Sequence, residues 1–264
     1  MYVDRELVRR VEHSAAQYCA RVAAVLATTA PTSGAVAQPC DGGSLIAFGP
    51  GRYVNRAMGV GLSDTSAEEI VTAIGEFYSA RALPASIEVN PWIDASILAA
   101  LGDRGFRLER FRNVYVRELD SIPDVPMADI VPVDEHSALV RMTILAGDVP
   151  SDSEARKISD EYCEAAALLV DAHDFVALSG GTPAACGSLN IANGLAGLGG
   201  AATLPEHRGR GLQQALLAYR LRLARSLGCD LATATAVPDQ QSARNLERLG
   251  FQLLYTQTVL TRPM

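Results

Sequence analysis

The chain has 264 residues, of which 48% are hydrophobic and 20% charged, a balance that suits one large or two modest globular domains and excludes wholesale disorder. Its formal net charge of −7 argues against a protein that coats nucleic acid, because phosphate-backbone binding rests on lysine and arginine. No run approaches the ~18 apolar residues of a membrane-spanning helix, and the apolar stretch 19–30 is interrupted by Arg21, so it reads as a surface helix rather than a leader. The five cysteines, Cys19, Cys40, Cys163, Cys186 and Cys229, form no CxxC pair. They predict neither a disulfide framework nor a metal site, and free thiols fit a cytoplasmic protein.

In chain order, 4–27 predicts an amphipathic helix, followed by a loop through Gly43. The stretches 44–48 and 57–62 read as a hairpin. Thr65 and Glu68 predict a capping box for a helix carrying Ile70, Ile74 and Phe77 on one face. A strand at 86–89, a short helix from Asp94 and a long strand at 111–119 complete the first half. The proline-rich segment 120–129 reads as a linker.

The second half opens with a strand at 130–133, a helix at 135–146 and a second helix capped by Ser151 with Glu154. Strands follow at 175–180, 185–191 and 194–204. A helix with Leu212, Leu216, Tyr219, Leu223 and Leu227 on one stripe comes next. The chain then runs through a strand at 231–237, a short helix from Asp239 and a strand at 253–260.

The halves end alike. Residues 101–117 align with 246–262 at an offset of 145, matching Leu101 with Leu246, Gly105 with Gly250, Phe106 with Phe251, Leu108 with Leu253, Val114 with Val259 and Arg117 with Arg262. An internal duplication is therefore expected.

Between the strand ending near residue 204 and the next helix the chain reads PEHRGRGLQQ. A helix start leaves about four amides unpaired and carries about half a positive charge, so it attracts phosphate. Glycine at 209 and 211 lets the backbone approach an anion, and Arg208 and Arg210 add charge. A Walker loop would require Gly-Lys-Ser/Thr where this chain has Gly211-Leu212-Gln213, and a dinucleotide fingerprint would require glycine at Gln214. At the offset of 145 the first half has Ser63, Asp64, Thr65 and Ser66 instead, without glycine or arginine.

Arg208-x-x-Gly211-x-Gln213, with Pro205 before it and the Gly250-Phe251 corner after it, resembles the signature of the GNAT N-acetyltransferase superfamily. The resemblance covers roughly 128–264. It implies an α/β fold with a central, splayed mixed sheet flanked by helices, here as tandem domains: a degenerate copy over 1–122 and an acyl-CoA-binding copy over 128–264. By resemblance the carrier, acetyl-CoA, would be held by Ala202, Thr203 and Leu204 on the strand, by Arg208, Gly209, Arg210, Gly211, Leu212 and Gln213 in the turn, and by Asn245.

The sequence departs from the family in having Gln213 where glycine or alanine is usual. Leu246 also stands where a tyrosine commonly protonates the departing thiolate. Tyr255 and Ser242 are the replacement candidates for the acid; His207 is a candidate base, and Asn190, Tyr162 and Cys163 are candidate lining of the acceptor pocket. The expected activity is N-acyl transfer to a primary amine of a small molecule or peptide, with a non-catalytic acyl-CoA-binding protein as the alternative. No metal, nucleic acid or membrane is expected. The first half would shape the acceptor pocket or form a homodimer contact.

Overall fold

The computed structural model describes residues 2–52, 54–134 and 137–264. Their contacts divide the chain into two compact units, the first comprising 1–114 and 254–264, the second 115–253.

Unit 1 begins with helix α1 (Arg5–Thr29), capped by Asp4, whose side chain accepts from the Leu7 amide at 2.9 Å. Strands β1 (Val36–Cys40), β2 (Gly43–Ala47) and β3 (Asn55–Met58) follow. The β2–β3 pair is the expected antiparallel hairpin, though Tyr53 of its connection lies outside the described residues. β1 was expected as loop; its register with β2 is complete from Val36↔Ala47 to Cys40↔Gly43, because the tight Asp41–Gly42 turn brings the chain back on itself. Next come α2 (Ala67–Ser79), β4 (Ala85–Val89), α3 (Ala95–Asp103) and β5 (Arg107–Glu118). The cap of α2 falls one residue later than expected: Ser66, not Thr65, accepts from the Glu69 amide, and the Glu69 carboxylate reaches back to the Ser66 amide. Ile70, Val71, Ile74, Phe77 and Tyr78 are buried against β2 and β4.

Unit 2 contains β6 (Asp129–Pro132), α4 (Ala138–Ala146), α5 (Glu154–Ala167), β7 (Ala172–Ser179), β8 (Thr182–Ala192), β9 (Leu195–Thr203), α6 (Leu212–Ser226), β10 (Leu231–Ala236) and α7 (Gln241–Arg248). Of the helix expected over 135–146, residues 135 and 136 lie outside the described residues. α5 is capped by Ser153 rather than Ser151, because Ser153 alone stands one residue before the helix with its hydroxyl accepting from the Arg156 amide. On α6 Leu212 and Leu216 of the expected stripe are buried and Tyr219 and Leu223 pack against the same core, but the buried face also takes in Leu217, Leu221, Ala224 and the charged Arg220, whereas Leu227 is exposed.

The final strand, β11 (Gln252–Arg262), pairs antiparallel with β4 from Thr258↔Val89 to Arg262↔Ala85. The sheet order in unit 1 is thus β1-β2-β3-β4-β11-β5, and in unit 2 it is β5-β10-β9-β8-β7-β6. Residues 254–264 complete unit 1, and the end of β5 belongs with unit 2, where the Leu119 amide donates to the Asp230 carbonyl. The division therefore differs from halves cut at 120–129. Ladder pairing, not the proline-rich stretch, decides which strand belongs where, and 120–129 lies within unit 2.

The offset read in the sequence recurs in the elements. α2 and α6 start at Ala67 and Leu212, α3 and α7 end at Asp103 and Arg248, and β5 and β11 start at Arg107 and Gln252, each pair 145 residues apart. The N-terminal half is a second, degenerate copy of the C-terminal one, in a mixed α/β fold.

Candidate functional site

The turn that attracts attention in the sequence lies wholly in unit 2. After β9 the chain makes a short 3-10 turn over Pro205–His207 and enters α6 through Arg208–Gly211. Gly209 and Gly211 have φ of 75° and 77°, a left-handed backbone that strains any residue with a Cβ. A Cβ built on either would meet nothing within 4 Å, so the space before both is clear. Gly211 caps α6 with no side chain, and the first intrahelical bond runs from the Ala215 amide to the Gly211 carbonyl at 3.0 Å. The amides of Leu212, Gln213 and Gln214 precede that bond and face out of the helix end.

Both arginines of the turn hold weak, neutral partners. Arg208 Nε donates to the Thr203 carbonyl at 3.3 Å, and Arg210 donates to Ser179 Oγ at 3.2 Å and to the Glu206 carbonyl at 3.3 Å. Among the described residues neither is paired with a carboxylate. The corresponding end of α2 in unit 1 is closed by its own Glu69 carboxylate through the Ser66 box. One copy thus has a helix end open to an anion, and the other fills it internally.

The turn forms one wall of a cleft of about 990 Å³. Ala202, Thr203 and Leu204, the six turn residues from Arg208 to Gln213, and Asn245 all line it. Every residue expected to hold the acyl carrier is therefore brought together. Ile144, Leu145 and Asp148 from the end of α4 contribute another wall, and Gln240, Gln241 and Ser242 close it from α7.

The opening beside β9 has a backbone cause. β9 pairs in parallel with β10 only as far as Leu198↔Ala234. Residues beyond Leu198 continue to Thr203 on the β8 ladder alone, so their other edge is free of β10. Within that stretch the register shifts: Cys186 faces Ala202 but Ser188 faces Gly199, so Gly187 opposes both Gly200 and Ala201 in a bulge. Gly200 has φ of 54°, and a Cβ there would lie 2.4 Å from Ser188 Oγ.

Gln213, the departure from the family signature, accepts from Asn245 Nδ2, and Gln241 Nε2 donates to Asn245 Oδ1 at 3.0 Å. The long amide thus ties the start of α6 to α7. Leu246 is buried.

Of the catalytic candidates, Ser242 lines the cleft and Tyr255 does not. Tyr255 belongs to unit 1, where its hydroxyl donates to Glu12 Oε1 at 2.5 Å and its ring stacks edgewise on Trp92. Burial and the neighbouring Glu12 charge push its pKa well above the ordinary tyrosine value. The Tyr255 hydroxyl, an expected candidate for the acid, is thus engaged with Glu12 within unit 1. His207 lines the cleft, with Nδ1 buried and unbonded. Tyr162, Cys163 and Asn190 are absent from the cleft wall; Asn190 instead packs on Gly197, donating to its carbonyl at 3.2 Å.

Sequence reasoning missed a buried polar cluster behind the bulge. Arg141 on α4 pairs with Asp174 Oδ1 at 2.9 Å and donates to Ser188 Oγ at 2.6 Å, while Ser188 Oγ donates to Asp174 at 2.5 Å. Arg220 on α6 is 1% exposed and donates to the carbonyls of Leu216, Ser188 and Gly199. The glycines at 187 and 200 were the available signal, since a Cβ on Gly187 would lie 2.8 Å from the Arg220 guanidinium carbon and one on Gly200 would lie 2.4 Å from Ser188 Oγ.

The site thus combines a mixed sheet, a bulged central strand that parts from its parallel neighbour, and a glycine-arginine turn into the next helix. Residues 141–251 match the acetyltransferase (GNAT) family. Among solved structures the chain is similar to a GCN5-related N-acetyltransferase from Kribbella flavida, at 18% identity, covering 93% of this chain and 96% of that one with a TM-score of 0.67. It is also similar to a tandem GNAT protein from the clavulanic acid biosynthesis pathway, at 16% identity with coverage of 91% and 87% and a TM-score of 0.61. A third, from Novosphingobium aromaticivorans, is described as an acetyltransferase of the GNAT family and has 20% identity, coverage of 94% and 99%, and a TM-score of 0.54. No curated protein matches the chain. The match to the GNAT family thus falls in the C-terminal half, and the fold of the chain is similar to that of a tandem GNAT protein. No described helix is long and apolar enough to cross a membrane, and the described residues contain no cluster suited to a metal ion.

Proposed function

We propose that the protein is an acyl-CoA-dependent N-acyltransferase that moves an acetyl group from acetyl-CoA to a primary amine of a small molecule or peptide. The observation that carries this reading is the uncapped start of α6, with two left-handed glycines and two arginines lacking carboxylate partners, set in one wall of the cleft. This is the donor set a diphosphate requires. The amides of Leu212 and Gln213 and the guanidiniums of Arg208 and Arg210 hold the phosphates, and the free edge of β9 at Ala202–Leu204 pairs with the pantetheine amides.

In the reaction the neutral amine nitrogen attacks the thioester carbonyl carbon while both substrates are bound. A C–N bond forms, the C–S bond breaks, and one amine proton passes to the departing sulfur. Backbone amides facing the carbonyl oxygen stabilise the developing negative charge. Holding the two substrates in line supplies much of the rate. Ser242, on the cleft wall in the first turn of α7, is the side chain we assign to the sulfur, directly or through water.

A specific observation favours a second reading, that of a non-catalytic acyl-CoA-binding protein: Leu246 occupies the usual tyrosine position, and Tyr255 is engaged in unit 1. Titration with acetyl-CoA, followed by thiol-release assays over an amine panel, separates them. Binding with thiol release supports transfer, whereas binding without release over the whole panel supports the second reading.

A further inference from the structure

Arg220 is a fully buried cation that makes no ion pair among the described residues, an arrangement costly to keep without a use. Its partners are informative. One nitrogen, Nη1, reaches the Ser188 carbonyl at 2.7 Å and the Gly199 carbonyl at 3.2 Å, while Nε holds the Leu216 carbonyl of its own helix at 3.0 Å. Ser188 and Gly199 are the register pair at the edge of the β8/β9 bulge, where the inserted residue disturbs the ladder. Arg220 therefore bonds both strands at the discontinuity and fastens them to α6.

The opposite face of the sheet is held as well. Successive strand residues point to opposite faces. The Arg220 guanidinium lies over Gly187, so Ser188 directs its side chain to the other face, where Arg141 and Asp174 bind it. Arg141 sits on α4, whose Ile144 and Leu145 line the cleft. On the Arg220 side, α6 begins with the turn that lines the same cleft seven to twelve residues earlier.

We propose, resting on the acyl-CoA reading above, that Arg220 is a positioning residue. It fixes the bulge, and through it the strand segment Ala201–Leu204, relative to the phosphate turn at the start of its own helix. The acyl group of the carrier is thereby presented at a set distance from its phosphates. Arg220 touches neither substrate; it acts through the carbonyls of Ser188 and Gly199.

Two variants attack the same contact from opposite sides. Arg220→Met removes the donors, and Gly187→Ala places a methyl against the guanidinium while leaving its charge and α6 intact. In both, we expect the CoA dissociation constant to stay within about twofold. Thiol-release kcat should fall about tenfold or more, as for small misplacements of reacting groups. Arg220→Lys, which keeps one charged donor, should recover part of the rate. Hydrogen exchange should accelerate at the amides of 200–203 and stay unchanged elsewhere in unit 2. Unchanged kcat with unchanged exchange in both variants overturns the proposal. So does a parallel loss of CoA affinity, kcat and protection across all of unit 2, which would mark Arg220 as an ordinary core residue. Should the wild-type protein bind CoA but release no thiol with any amine, the transferase reading fails by itself. The exchange pattern then decides the role of Arg220: acceleration confined to the bulge supports it, and no change overturns it.

Discussion

Arg56 and Glu88 form a buried ion pair at 2.9 Å, at the positions that correspond, 145 residues on, to Ala201 and Thr233. In the second copy Ala201 is a small residue on the cleft wall, whereas in the first its counterpart is a long cation locked to a carboxylate that also binds Arg112. With α2 closed by Glu69 as well, the first copy has given up both features that would admit an acyl carrier. Calorimetric titration should therefore find one CoA per chain. Two equivalent sites would contradict this. Arg56→Met leaves Glu88 buried with one cationic partner fewer, and should destabilise unit 1 by about 3 kcal/mol in denaturant unfolding.

The phosphate turn should respond to charge. Gly211→Asp sets a carboxylate at the open end of α6, repelling a phosphate as Asp64 would in the first copy, and aspartate tolerates the left-handed φ of 77° better than most residues. CoA binding should disappear while the thermal unfolding midpoint moves little. Arg208→Ala or Arg210→Ala should each weaken CoA about tenfold, the usual effect of losing one charge-assisted hydrogen bond, and less at high salt. An affinity that ignores ionic strength would count against the diphosphate site.

Ser242 and Tyr255 should separate cleanly. Ser242→Ala should lower thiol-release kcat about tenfold or more with CoA affinity retained, in line with the loss of a proton donor. Tyr255→Phe should leave kcat in place and instead cost roughly 1–2 kcal/mol of unit 1 stability, because Glu12 loses a buried donor. The opposite pattern would return Tyr255 to the catalytic machinery.

Glu12 makes stability depend on pH. Burial, and secondarily the Glu88 charge, raise its pKa from 4.5 to about 7 despite the hydrogen bonds from Tyr255 and Gln257. A carboxyl whose folded pKa exceeds its unfolded value contributes stability that is whole below about pH 4.5 and is lost as the pH climbs through 7. At roughly 1.4 kcal/mol per unit, the loss across this window is about 3 kcal/mol. Glu12→Gln should flatten the curve between pH 5 and 8 and be the more stable protein at pH 8. A wild-type curve that rises over that interval would refute the assignment.

Some of this could be read from the residues alone. The duplication and the glycine-arginine start of α6 were legible because they rest on local chemistry: positive-φ glycines, helix periodicity and a repeated helix-to-strand corner at 105–106 and 250–251. The engagement of Tyr255 with Glu12 was not legible, because its nearness to that corner in sequence gave no hint that β11 pairs with β4. Arg220 was passed over because an arginine on a helix reads as solvated. Only the bulge between β8 and β9, a non-local event, supplies the carbonyls that make its burial tolerable. Cap positions slipped by one or two residues, since Thr65 and Ser66, or Ser151 and Ser153, offer the same chemistry and tertiary packing chooses between them.

The placement of β11 in unit 1 sets a constraint on how the molecule is made. On the ribosome, residues 2–114 emerge before any of unit 2, yet the gap between β4 and β5 stays unfilled until 254–264 have been translated. The earlier-emerging half must wait for the later one with its apolar edge exposed, so nascent chains stalled beyond Val114 should depend on chaperones that released chains do not need.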